Sequence, residues 1–229
     1  MFNSKYSKVL TVLLVVVIIA IVALIAFLGY DMYRKYYIDK DAENFMERYE
    51  EELNIIKQEE NVTKQEENTV PTVIDPGNQG NANTGSTGST GSITSKKPTY
   101  KGFNVLGTIE IPKTGIKYPV LETVTIKSLQ TSVAYYYGPG LNQVGNTVIY
   151  GHNYRNGAFF GKNKQLKNGD IIYITDNSGQ RIKYTIYNVY TTTDTDADYI
   201  TRDTKGAREI SLSTCTDDSK GRLVIWAKE

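Results

Sequence analysis

The chain is poor in the residues that build redox and metal chemistry: one cysteine, one histidine and one tryptophan among 229 residues. A single thiol excludes a disulfide framework within the chain. One Cys with one His also falls short of the four ligands that a structural zinc site takes. No dinucleotide-binding glycine fingerprint and no Walker phosphate loop occurs, so chemistry without a cofactor is the expectation. An excess of one charge is lacking too. Lys and Arg number 26 against 25 Asp and Glu, a net of +1, and no nucleic-acid partner is expected. The balance is uneven along the chain: residues 31–67 carry 6 cations and 12 anions, residues 99–229 carry 16 and 12.

A long apolar run is what the chain does have. Residues 9–29 contain no charge, and at about 1.5 Å per residue a helix of this length spans the roughly 30 Å core of a bilayer. A cleaved signal peptide is the competing reading. Its apolar core is shorter, about 7–15 residues, and ends in a small-residue cleavage site, whereas this run leads into Tyr30-Asp31-Met32-Tyr33. An uncleaved signal-anchor in the lipid bilayer is therefore expected, with residues 1–8 before it. Lys5 and Lys8 before the run nearly balance Arg34, Lys35 and Lys40 after it, so charge alone does not set the orientation. Residues 30–60 read as a polar helical stalk, solvated apart from a stripe of Met46, Tyr49, Leu53 and Ile56. Residues 61–98 read as a flexible linker rich in Gly, Ser, Thr and Asn, with a reach of about 35 Å. Asp75-Pro76-Gly77 within it reads as a turn.

The folded part is residues 99–229. Seven runs rich in β-branched and aromatic residues recur there: VLGTIEIP, GIKYPVLE, GNTVIYGH, DIIYIT, RIKYTIYNVYTT, EISLSTC and RLVIWAKE. Turn signals such as GPG, KNGD and DNSG separate them, and one short helix is expected near residues 125–131. The pattern predicts a mainly all-β fold, a closed or nearly closed barrel.

Three reactive side chains of this part sit at strand ends. In ISLSTC, Ile210 and Leu212 share one face, and Ser211, Ser213 and Cys215 the other. If TDDSKG connects two paired strands, Cys215 and Arg222 meet near one end. His152 closes the run NTVIYGH. Taken singly, a lone Cys is usually a small buried hydrophobe, a lone His a satisfied imidazole and a terminal Arg a solvated charge. Together they support acyl transfer: a thiolate nucleophile, an imidazole acid/base and a cation for the oxyanion.

These residues resemble the motifs of the sortases, membrane-anchored cysteine transpeptidases of Gram-positive bacteria. VIYGHN is similar to the family's histidine motif, LSTC to its Thr-Leu-x-Thr-Cys motif with Ser211 where threonine is usual, and GRLVIWAK to its arginine strand. GTIEIPKTGIKYPV and FFGKNKQLKNGDIIYI also resemble family segments, so the likeness covers about residues 103–228. It implies an eight-stranded barrel with Cys215 as nucleophile, His152 as acid/base and Arg222 as oxyanion and substrate-positioning group. Thr214, Ser213, Asn153 and Tyr150 are further candidates for substrate binding. The implied partners are proteins with an LPxTG-like sorting signal, cut between Thr and Gly, and an amine acceptor, either a peptidoglycan cross-bridge or a pilin lysine. The domain would then lie outside the cell and the N-terminus inside. The motifs look like class B, but only 62 residues separate His152 from Cys215, too few for that class's helical insertion. Two other functions use the same features: a surface cysteine peptidase that only hydrolyses, and a tethered β-barrel that only binds. Asp194, Asp196 and Asp198 form a weak candidate calcium loop. Tyr199 and Lys205 stand where an EF-hand needs Gly and an acid, so a solvated acidic loop and no metal are expected.

Overall fold

The computed structural model describes residues 4–67 and 97–229. Most of the expected linker, with its Asp75-Pro76-Gly77 turn, lies outside the described residues. Helix α1 runs from Ser4 to Glu67 without a break. This stretch contains no proline and only Gly29 as a glycine, so nothing in it stops a helix. It is long and apolar enough to cross a membrane, and its apolar side chains from Val9 to Leu28 stand exposed. The helix also takes in residues 61–67, which composition had assigned to the linker.

The solvated stalk is corrected by the structure. Ala42, Phe45, Met46, Tyr49 and Leu53 are buried, and only Ile56 of the anticipated stripe remains exposed. Phe45, Met46, Tyr49 and Leu53 pack on Tyr100, Val105, Leu121 and Ala134, the outer side of the sheet, while Ala42 joins the main core cluster. Tyr49 donates a hydrogen bond to Asn177 Oδ1 at 2.7 Å, Tyr118 bonds Asp39, and Lys101 pairs with Asp41 at 2.6 Å. The apolar contacts outweigh the charges. A buried Phe or Met contributes about 1.5–3 kcal/mol, an exposed ion pair at most about 1 kcal/mol. Periodicity located Met46, Tyr49 and Leu53 but not Ala42 or Phe45, and a polar helix does not reveal which surface will cover it.

Nine strands follow: β1 (Thr99–Tyr100), β2 (Phe103–Ile111), β3 (Ile116–Leu121), β4 (Val133–Tyr137), β5 (Gly145–Tyr150), β6 (Ile171–Asp176), β7 (Arg181–Thr193), β8 (Arg208–Cys215) and β9 (Gly221–Lys228). They pair in the order β1-β2-β3-β4-β5-β8-β9-β7-β6, and β6 pairs back onto β2. Eight strands thus close a barrel, with the two-residue β1 as an outer addition. Ile109, Ile149, Ile172, Ile174, Ile186, Ile210, Leu212 and Ile225 fill the interior. Helix α2 (Ile126–Thr131) stands where expected, because Thr125 and Ser128 form a reciprocal capping box. Strand β4 had no counterpart among the seven runs. Val133 faces the barrel core and Ala134 the α1 cluster, so both sides are apolar and the period-2 signal is lost. A second short helix, α3 (Asp198–Thr201), lies before β8.

Candidate active site

The parallel pairing of β5 with β8 and the antiparallel hairpin of β8 with β9 bring Cys215, Arg222 and the segment holding His152 to one rim. Strand phase holds as the sequence implied. Ile210 and Leu212 point into the barrel core, and Ser211, Ser213 and Cys215 take the opposite side. Ser211 and Ser213 are nevertheless buried, because Tyr199 and Arg202 cover that side. The cover ends before Cys215, which is half-buried and is the free thiol of the chain. Across the hairpin Cys215 pairs with Arg222, and the Arg222 Nη1–H donates to Cys215 Sγ at 3.2 Å.

Tyr150 of β5 is level with Ser213 of β8, and Gly151 N–H continues the ladder to Ser213 O at 3.2 Å. Two residues beyond that level lie His152, just past the end of β5, and Cys215, the last residue of β8. Gly151, between Tyr150 and His152, has no room for a side chain. A Cβ there would meet the Phe160 ring at 2.7 Å and Val133 at 2.9 Å. Beyond His152 the chain turns back, and Phe160 N–H donates to His152 O at 3.0 Å. The imidazole faces the Tyr154 ring at 5.1 Å, and burial pushes its pKa below the ordinary value. A neutral imidazole is therefore its resting form at neutral pH.

Arg222 is braced by aromatic rings. Its guanidinium lies 5.9 Å over Tyr150, which stacks on Tyr136 at 4.3 Å and shares a 2.6 Å hydrogen bond with the Tyr199 hydroxyl. Burial and the Tyr199 contact push the Tyr150 phenol up, so it stays protonated. Asn153 Nδ2–H donates to Cys215 O at 2.9 Å and to Asp217 Oδ1 at 3.0 Å. Ser213 and Thr214, in contrast, are 2% and 3% exposed, and the Thr214 hydroxyl has no partner. Tyr150 and Asn153 thus line the rim, while Ser213 and Thr214 lie beneath it.

The two acids after the cysteine divide their work. Asp217 joins Asn153 to Lys164, whose ammonium at 2.8 Å holds the carboxyl below its usual range. Asp218 closes the turn on the Thr216 hydroxyl at 2.6 Å and Lys220 N–H at 3.1 Å. Tyr199, Tyr154 and Lys164 were not singled out from the sequence. Each reaches the rim through tertiary packing. In the acidic segment, Asp196 accepts from the Thr192 hydroxyl and Asp198 N–H. Among the described residues no group of three His, Cys, Asp or Glu side chains is placed to hold a metal ion.

A sortase-domain family model matches residues 109–229, just over half of the chain. Sortase A of Bacillus anthracis is 32% identical over 124 residues, covering 53% of this chain and 58% of that protein. Among solved structures, a sortase D5 transpeptidase of Clostridium perfringens is 26% identical with a TM-score of 0.50, covering 55% of this chain and 78% of that one. Sortase A of Corynebacterium diphtheriae is likewise 26% identical, with a TM-score of 0.51 and coverage of 55% and 60%. The matched segment contains the closed barrel's Cys215, His152 and Arg222, and the chain belongs to the sortase family.

Proposed function

We propose that the protein is a membrane-anchored cysteine transpeptidase, with Cys215 as nucleophile, His152 as acid/base and Arg222 as oxyanion donor. The observation that carries this reading is the Arg222–Cys215 contact at 3.2 Å, beside the end of β5, which His152 follows by two residues. Cys215 Sγ, its proton passed to His152 Nδ1 or Nε2, attacks the carbonyl carbon of the scissile peptide bond. The C–S bond forms, the C–N bond breaks, and the imidazolium returns the proton to the leaving amine. Arg222 faces the negative charge that gathers on the carbonyl oxygen in between. An acceptor amine then attacks the thioester, gives its proton to the imidazole and releases the thiol.

The substrate is a sorting signal of the LPxTG type, cut between Thr and Gly. A groove of 490 Å³ lined by Tyr136, Tyr137, Pro139, Asn146, Ile200 and Arg202 offers both apolar and polar contacts to an extended peptide, and the Tyr136–Tyr150 stack leads from it to Arg222. The acceptor is an amine of peptidoglycan precursor or a pilin lysine, and the domain faces outward, as family membership supports. The test is the full chain in detergent with LPxTG-type peptides, with and without triglycine. Joining of triglycine to the N-terminal fragment supports transfer. Cleavage that triglycine never intercepts would make it a hydrolase, and no acyl-enzyme on any peptide would leave only a binding role.

The His152 environment gives a pH expectation. The folded pKa lies below the unfolded value near 6.5. As pH falls through 6.5 the unfolded chain takes up the proton first, so this site destabilises the fold only on the acid side. The acid limb of kcat/KM is expected below pH 6.5 for the same reason, and an acid limb above it would refute the neutral resting imidazole.

A further inference from the structure

We infer that the barrel is docked on the first extramembrane turns of α1, so that a basic groove beside Cys215 meets the anionic headgroups of the bilayer. The inference rests on residues 9–29 as a membrane span and does not depend on the chemistry of the site. Contact between helix and barrel begins directly after that span. Asn156 Nδ2–H donates to Asp31 O at 3.3 Å and Oδ1 at 3.1 Å. Arg34 lies 5.3 Å over the ring of Tyr154, the same ring that faces His152. The buried stripe from Ala42 to Leu53 then fastens the barrel to the rest of the helix. The domain is thus fixed to the anchor itself, and residues 68–96 need not act as a tether.

The helix serves as a ruler. Twenty-one residues cover about 31 Å, so residues 9–29 fill the hydrocarbon core. Asp31 and Arg34 lie ~3–8 Å past its end, and the headgroup layer on each side is about 5–7 Å thick. The loop holding Tyr154 and Asn156 therefore sits at headgroup level. The β6–β7 turn, held by Tyr49 through Asn177, is attached 18 residues further along the helix, ~27 Å farther from the bilayer.

What the loop presents at that level is positive. The groove beside Cys215 has a volume of 620 Å³ and includes Arg155, Lys162 and Lys164 in its lining. Lys164 pairs with Asp217, whereas Arg155 and Lys162 form no ion pair among the described residues. Three cations less Asp217 leave +2 here, while Asp31 and Arg34 next to it cancel. Each Lys or Arg near an anionic surface favours contact by roughly 5-fold, so the groove favours an anionic over a zwitterionic bilayer by about 25-fold.

The experiment uses the full chain with Cys215→Ala, so that a single introduced thiol carries a fluorophore. Gln165→Cys places it in the groove lining, and Gln180→Cys on the distal turn. The protein is reconstituted in vesicles containing a headgroup-attached quencher, in phosphatidylcholine or with phosphatidylglycerol added. Strong quenching at position 165 and weak quenching at 180 is expected. Phosphatidylglycerol should deepen the former, and Arg155→Gln, Lys162→Gln and Lys164→Gln together should abolish that lipid dependence. Equal quenching at both positions overturns the docking. Quenching at 165 that ignores lipid charge overturns headgroup recognition. Neither result touches the transpeptidase reading, because the tested chain lacks its nucleophile.

Discussion

Arg222→Lys is expected to lower kcat by about 10²–10³-fold while Cys215 remains open to alkylation at close to its original rate. Lysine keeps the charge but presents it as a point on a flexible stem, whereas the guanidinium donates in a fixed plane. In the structure that plane is set from two sides. The Nη1–H reaches Sγ, and the Tyr150 ring, itself stacked on Tyr136, lies beneath the guanidinium. A donor placed in advance where charge develops lowers the barrier without reorganising, and a lysine ammonium cannot keep that placement. The loss should fall on kcat, with KM for peptide changing less. Cys215→Ala is the sharper companion: no thioester, no labelled acyl-enzyme and no product. If Arg222→Lys left kcat within a few-fold of the parent, the cation would be a substrate anchor and another group would have to meet the oxyanion. If it blocked alkylation as well, its role would be to maintain the thiol and the rim around it.

The pairing of Cys215 with Arg222 was readable because two local rules sufficed. Alternation put the thiol opposite Ile210 and Leu212, and the six-residue TDDSKG connection permits a hairpin. His152 needed more, because its neighbour strand is distant in sequence and parallel, and no spacing rule selects β8 as the partner of β5. Its place came from motif resemblance, and the barrel then supplied the register. The side chains that hold the rim in shape were not legible. Tyr199 and Arg202 lie in a stretch that reads as an acidic loop, yet they cover Ser211 and Ser213 and turn a polar strand face into a buried one. The stalk failed for a related reason. Met46, Tyr49 and Leu53 show periodicity, but their partners Tyr100, Val105 and Leu121 look like ordinary strand residues until the barrel sets them side by side.

Glu209→Ala is expected to cost about 3–5 kcal/mol, the loss associated with stranding one charge of a buried pair. Arg202 and Glu209 form a salt bridge with side chains only 13% and 10% exposed. Around them the network is closed. Tyr187 donates to Glu209 at 2.6 Å, Arg202 reaches the Tyr187 oxygen at 2.9 Å and Asn146 Oδ1 at 3.1 Å, and its guanidinium lies 4.6 Å over Trp226. Burial and the adjoining carboxylate push the Tyr187 phenol up to about 12, so it remains a donor throughout the working range. Removing the carboxylate leaves the guanidinium buried with neutral partners alone. Asn146 also donates to the carbonyls of Tyr199 and Ile200, so the disturbance passes into α3. From there it reaches the Tyr199–Tyr150 hydrogen bond under Arg222. Thermal unfolding should show a fall of about 10–15 °C, with some loss of activity at temperatures where the fold persists. Arg202→Met with Glu209→Leu should recover most of that stability, because an apolar pair leaves no uncompensated charge. A loss below about 1 kcal/mol in Glu209→Ala would mean that water reaches the pair and that it behaves as a surface bridge. The covering of Ser211 and Ser213 would then rest on Tyr199 packing against Val148 and Val224, with the charges adding little.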